Sequence, residues 1–179
     1  MTFLELVTRR SSVRRYRGDA VPREAIERCI EAARLAPSAC NSQPWRFVVV
    51  HDGTLRRRLA EAAFRGAYAM NRFAADAPVL VAVVTERSRY AARLGGWLRG
   101  VQYSLIDIGI AGEHFVLQAA EEGLGTCWLG WFNEKGVKRV LDLPRRAGVD
   151  ILISVGYAAT DESPPKKRKR VEDMREYRE

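Results

Sequence analysis

Apolar positions along this chain change their period several times, dividing it into alternating helical and extended stretches. Thr2-Phe3-Leu4-Glu5 has the form in which a threonine and a glutamate each accept the other's backbone N–H. It predicts a short helix over about 3–9. Pro22 suits the first turn of a second helix, in which Ile26, Cys29, Ile30 and Ala33 recur at 3.6-residue spacing. That helix should stop before Pro37, because the residue preceding a proline disfavours helical backbone. RFVVVH (46–51) is short and β-branched and predicts a strand, after which Asp52-Gly53 turns the chain into a helix over about 54–64. APVLVAVV (77–84) hardly alternates, as expected of a strand covered on both faces. A long helix is expected over 101–122, closed by Gly123. Its apolar positions, among them Ile106, Ile110, Phe115, Val116 and Ala119, nearly encircle it, which points to a core or a subunit interface. TCWLGWF should be extended, Asn133 can cap a short helix through Leu141, and DILISVGYA makes a last strand. Helices interleaved with strands indicate an α/β or α+β layered domain, and no internal repeat is visible.

A length of 179 residues fits one domain, with 160–179 as a C-terminal arm. Hydrophobic residues at 47% and charged residues at 29% exclude a mostly disordered chain. No apolar run reaches the roughly 18 residues of a membrane span, and the first cations follow the first apolar residues, the reverse of a secretory signal. A cytoplasmic location is therefore expected. Cys29, Cys40 and Cys127 are scattered, as reduced thiols are, and neither His51 nor His114 has a partner at metal-ligand spacing.

The formal charge of +8 admits a nucleic-acid reading, but its placement weakens it. The stretch 161–179 carries seven cations and six acids, so its run KKRKR is nearly balanced by its surroundings. A second cluster, Arg9, Arg10, Arg14, Arg15 and Arg17, lies at the other end of the chain. Two distant local clusters suit one small anion better than a long polyanion.

Three segments could carry chemistry. RRSSVRRY (9–16) offers guanidinium and hydroxyl donors to a phosphate, or is a solvated loop. APSACNSQPW (36–45) combines two prolines with Ser38, Asn41, Ser42 and Gln43; it suits recognition of a heterocycle, or is a helix-to-strand connection. GLGTCWLGW (123–131) contains Gly-x-Gly without a following Gly-x-x-Gly, so a dinucleotide fold is not indicated; Gly130 would let backbone N–H groups approach a ligand. No Ser-His-Asp or Cys-His pattern stands out.

In this order, and together with SVGY and PPKKRKRVED, these segments resemble the nitroreductase family of FMN-dependent oxidoreductases. The resemblance covers nearly the whole chain. It implies an α+β fold, an α/β/α sandwich with a mainly antiparallel central sheet, and an intertwined homodimer holding two FMN molecules between its subunits. It also implies NAD(P)H as the donor of a hydride to flavin N5, with a nitroaromatic, quinone or similar small acceptor, and no catalytic side chain. Dehalogenation, desaturation and flavin fragmentation occur among such proteins and remain alternatives, as does flavin binding without turnover.

By the same resemblance, Arg10, Ser11, Ser12 and Arg14 would hold the phosphate and ribityl chain, with Arg9 in reserve because the serine doublet leaves the register open by one. Pro37, Ser38, Ala39 and Asn41, with Gln43 nearby, would contact the flavin from the partner subunit. Leu129, Gly130 and Trp131 match the segment beside the reactive edge of the ring, and Asn71 matches an asparagine on its pyrimidine edge. In the tail, Lys166 and Arg168 would close over the same phosphate, leaving Lys169 and Arg170 solvated. ERSRYAARLGGWLRG (86–100) is either a lid, with Arg93 and Arg99 attracting an anion and Trp97 stacking on the ring, or a surface helix.

Overall fold

A computed structural model describes residues 1–86, 100–160 and 165–179. The possible lid and its Arg93, Trp97 and Arg99 lie outside these residues. Among the described residues, five α-helices are α1 (Phe3–Arg9), α2 (Arg23–Arg34), α3 (Gly53–Ala63), α4 (Tyr103–Glu121) and α5 (Glu134–Val140). Four strands are β1 (Trp45–Val50), β2 (Val79–Thr85), β3 (Gly125–Leu129) and β4 (Gly148–Gly156). They form one sheet in the order β1-β2-β4-β3, every pair antiparallel.

Local signals account for most boundaries. Both bonds of the predicted cap at α1 are present, Glu5 N–H to Thr2 Oγ1 at 3.3 Å and Thr2 N–H to Glu5 Oε2 at 2.7 Å. Pro22 stands at the N-cap of α2, one place before the first turn. Asp52 accepts the Leu55 N–H and Asn133 the Gly136 N–H, opening α3 and α5. After α4 the chain turns at Gly123, whose φ of +76° favours glycine.

The sheet separates two cores, so the molecule is an α/β/α sandwich. Along β2 the side chains alternate, with Val79, Val81 and Val83 facing α2 and α4, and Leu80, Ala82 and Val84 facing α3 and α5. This explains why the sequence of β2 shows no polar alternation: every residue from Val79 to Thr85 is buried. Phe115 of α4 stacks on Phe47 of β1 at 5.6 Å between ring centres, fixing the helix on the sheet.

The long helix buries one face in the core: Asp107, Ile108, Ala111, Phe115 and Ala119 are covered, while Ile106 is 51% exposed. Its outer face, with Phe3 and Leu6 of α1, Ile110 and Leu117, borders an apolar groove of about 600 Å³. One element was not expected: residues 66–76 form a run of 3₁₀ turns from Gly66 to Asp76. No helix among the described residues is long and apolar enough to cross a membrane.

Candidate cofactor site

The basic stretch after α1 lies alongside β3 instead of looping into solvent. Ser12 bridges Thr126 in parallel, the Val13 N–H donates to the Thr126 carbonyl at 2.9 Å, and the Arg17 N–H donates to Tyr157 at 2.9 Å. Two glycines permit this approach. A Cβ on Gly125 would sit 2.6 Å from a Val13 methyl, and one on Gly156 would sit 2.9 Å from the Tyr16 ring. The Tyr16 hydroxyl donates to the Val13 carbonyl at 2.8 Å, so its 2.7 Å contact with Ser154 Oγ is donated by the serine. Burial pushes the Tyr16 phenol well above its ordinary value, and the Ser154 hydrogen bond offsets only part of that. Residues 10–17 are thereby attached to the sheet at several points.

Cations from both ends of the chain meet there. Lys166 Nζ donates to the Val7 carbonyl at 2.6 Å, across 159 positions of sequence. Its ammonium titrates below the usual lysine value, first because of burial and then because Arg10 and Arg168 stand close. Arg10 is largely covered, at 19% side-chain exposure, and its closest acid is Glu113 of α4 at 3.9 Å. A pair at that distance whose acid is half exposed is worth under about 1 kcal/mol, so among the described residues the cluster keeps an excess of positive charge. Beside it lies a cavity of about 280 Å³ lined by Arg9, Arg10, Ser11, Ser12, Arg14 and Thr160 among others. Arg14 extends the cationic run, its guanidinium 6.0 Å over the Phe73 ring. Both Arg10 and Arg14 act on the thiol of Cys127, which burial raises and they pull back. Arg168 is exposed, with one guanidinium nitrogen on its neighbour's carbonyl at 2.8 Å.

The 66–76 run, which carries Phe73, and the end of β3 bring amide and aromatic side chains together. Leu129 ends β3 inside the core, Gly130 is exposed, and Trp131 is 55% exposed. The indole N–H of Trp131 donates to Ala67 at 2.9 Å, and Asn71 Nδ2 donates to the Trp131 carbonyl at 2.8 Å. Tyr68 leans on the indole at 5.3 Å. Asn71 and Trp131, sixty positions apart, thus form one unit. Tyr68 and Phe73 were not singled out from sequence, although their aromatic side chains beside Asn71 were a usable signal.

The 37–43 loop has a different setting. Cys40, Asn41 and Gln43 have φ of +52°, +52° and +44°, a region that asparagine tolerates but cysteine and glutamine rarely adopt. Each such residue costs roughly 1–3 kcal/mol and persists only where its surroundings over-determine it. Here the surroundings do. Ser38 Oγ accepts the Gln43 N–H at 3.0 Å, and Gln43 Nε2 donates to Asn41 Oδ1 at 2.8 Å. Asp107 accepts the Ala39 N–H at 3.0 Å and the Ser42 hydroxyl at 3.3 Å. Asp107 and Glu113 are six residues apart on α4, which is about 9 Å along the axis and about 120° round it. The loop and the basic cluster therefore meet different faces of α4. Pro37, Asn41 and Gln43 point outward into solvent.

The sequence profile of the nitroreductase family matches residues 7–72 and 65–157. A Thermus thermophilus protein named NADH dehydrogenase is 32% identical, over 87% of this chain and 86% of its own. The crystal structure of a nitroreductase family protein from Streptococcus pneumoniae superposes with a TM-score of 0.81 at 29% identity, covering 99% of this chain and all of that one. An FMN-dependent nitroreductase from Clostridium difficile gives 0.72 at 26% identity, covering 96% and 94%. An iodotyrosine deiodinase of Thermotoga neapolitana and a 5,6-dimethylbenzimidazole synthase of Rhodospirillum rubrum are each 27% identical, over 90% and 87% of this chain. With its profile matched across most of its length and its sandwich shared with solved members, this chain belongs to the nitroreductase family.

Proposed function

We propose that the protein is an FMN-dependent oxidoreductase that accepts hydride from NADH or NADPH and reduces a small oxidised acceptor such as a nitroaromatic or a quinone. One observation carries this reading. Arg10, Lys166 and Arg168, drawn from both ends of the chain, crowd one another at a cavity that Arg10, Ser11, Ser12 and Arg14 line, while Arg14 reaches over Phe73 of the 66–76 run that also carries the Asn71–Trp131 pair. Like charges held together at a cost suit a site that a phosphate completes. The amide and aromatic pair suits a flat heterocycle.

On this reading Arg10, Lys166 and Arg168 hold the phosphate, and Ser11, Ser12 and Arg14 hold the polyol and the near edge of the ring. Asn71 and the backbone at Leu129, Gly130 and Trp131 orient the far edge. The chemistry supplied by bound FMN is hydride exchange, so no side-chain nucleophile is required. Trp131 and Tyr68 shield one side of the site from water.

A cavity of about 280 Å³ falls below the range of 300–1,000 Å³ usual for a whole ligand. The 37–43 loop and the apolar groove on α1 and α4 would complete the site from a second copy of the chain, in a homodimer. Three unpaired cysteines fit a reducing compartment, the cytoplasm.

The test is the visible spectrum of the purified protein. The reading predicts a yellow protein that bleaches anaerobically on addition of NADH or NADPH. A colourless protein that binds no added FMN contradicts it. The deiodinase and the benzimidazole synthase among the relatives give weight to a second reaction type on the same cofactor. A reduced protein reoxidised by halogenated phenols but not by nitroaromatics or quinones would select that reading.

A further inference from the structure

We infer that Asp107 is a positioning residue: its buried carboxylate fixes the shape in which the 37–43 loop meets its ligand. What the loop faces rests on the flavin reading; that Asp107 holds it does not. Asp107 is 3% exposed, and no ion pair among the described residues neutralises it. A buried charge persists only when hydrogen-bonded, and both oxygens here are used for the same loop. Oδ1 takes the Ala39 N–H and Oδ2 the Ser42 hydroxyl, so the two anchors flank Cys40 and Asn41, the pair forced into left-handed backbone. Clamping both sides of a turn holds a conformation its residues would otherwise leave. Gln43, just outside the clamp, is fixed in turn by Ser38 and Asn41. The outcome is a neutral, rigid hydrogen-bonding edge displaying Asn41 and Gln43.

Cys40 provides a built-in reporter. It is exposed, whereas Cys29 and Cys127 are buried, and burial pushes the Cys29 thiol up to about 12. The rate at which 5,5′-dithiobis(2-nitrobenzoate) labels flavin-free protein near neutral pH therefore reads this loop. Asp107→Ala is expected to change the Cys40 rate about tenfold, Ser42→Ala less, and Asp107→Asn, which keeps an oxygen for the Ala39 N–H, to restore most of the wild-type rate. In the same variants FMN and riboflavin affinities should fall by equal factors, about tenfold in Asp107→Ala, because the loop meets the ring and not the phosphate. Circular dichroism and the urea midpoint guard against a general loss of fold. Wild-type labelling and flavin affinity in folded Asp107→Ala would overturn the inference. So would an unfolded Asp107→Ala beside a Ser42→Ala protein that matches wild type in both readouts. A protein that binds no flavin sinks the functional reading alone, and the Cys40 rates then decide the role of Asp107 by themselves.

Discussion

Two faces of α4 hold two opposite ways of meeting a ligand. At Glu113, Arg10 and Lys166 are assembled from distant parts of the sequence and repel one another, with Glu113 the acid beside them among the described residues. At Asp107, the loop is uncharged on its outer side, satisfied within itself, and strained in its backbone. The first region stores unfavourable electrostatics that a bound anion would relieve; the second stores torsional strain that a buried carboxylate maintains. On the proposed reading, one would supply affinity through charge and the other fit through shape. Substitutions in the two should therefore differ in what they spare.

The largest effect is expected from removing two cations at once. Arg10→Ala with Lys166→Ala should lower FMN affinity about 10²–10⁴-fold, at roughly 1.5–3 kcal/mol per charge-assisted bond, with the far-ultraviolet dichroism unchanged. Equilibrium dialysis measures it, and the Cys40 labelling rate should not move. An alkaline titration comes next. Because its value is lowered, Lys166 loses its proton at a lower pH than an ordinary lysine. FMN affinity should accordingly fall as pH rises through that lowered value, by up to the roughly 10–150-fold that one charged hydrogen bond is worth. Lys166→Arg should remove that fall.

Tyr16→Phe takes away the acceptor of the buried Ser154 hydroxyl and the donor to Val13. It should destabilise the protein by about 1–3 kcal/mol in urea unfolding, loosening the basic segment while leaving the loop's Cys40 at its normal rate. The smallest change runs the other way. Glu113→Gln removes the acid paired with Arg10 among the described residues and should raise FMN affinity about fivefold or less. A drop would mean that Glu113 orients Arg10 instead of competing for it.

How much of this was legible in the sequence depended on how local each signal is. Thr2 with Glu5, Asp52 and Asn133 placed helix starts to within a residue, since a cap is made between near neighbours. The uniformly apolar β2 signalled a strand covered on both faces. The 66–76 run stayed hidden because 3₁₀ turns have no 3.6-residue stripe, and its shape depends on Trp131 sixty positions away. Arg10 and Lys166 could be named from the resemblance, but their meeting at Val7 is a property of the folded chain. Asp107 went unnoticed, although a lone carboxylate among Leu105, Ile106 and Ile108 was a visible anomaly. What it binds is a loop 65–68 positions earlier, and no periodicity carries that information.

The central claim is that cations from the beginning and the tail of the chain converge on one flavin phosphate. Titrating flavin-free protein with FMN and with riboflavin, which differ by that phosphate alone, tests it most directly. The account predicts that FMN binds at least about 100-fold more tightly, and that the advantage disappears in the Arg10→Ala, Lys166→Ala double variant. Equal affinity for the two flavins, or an FMN advantage that survives the double substitution, would contradict it.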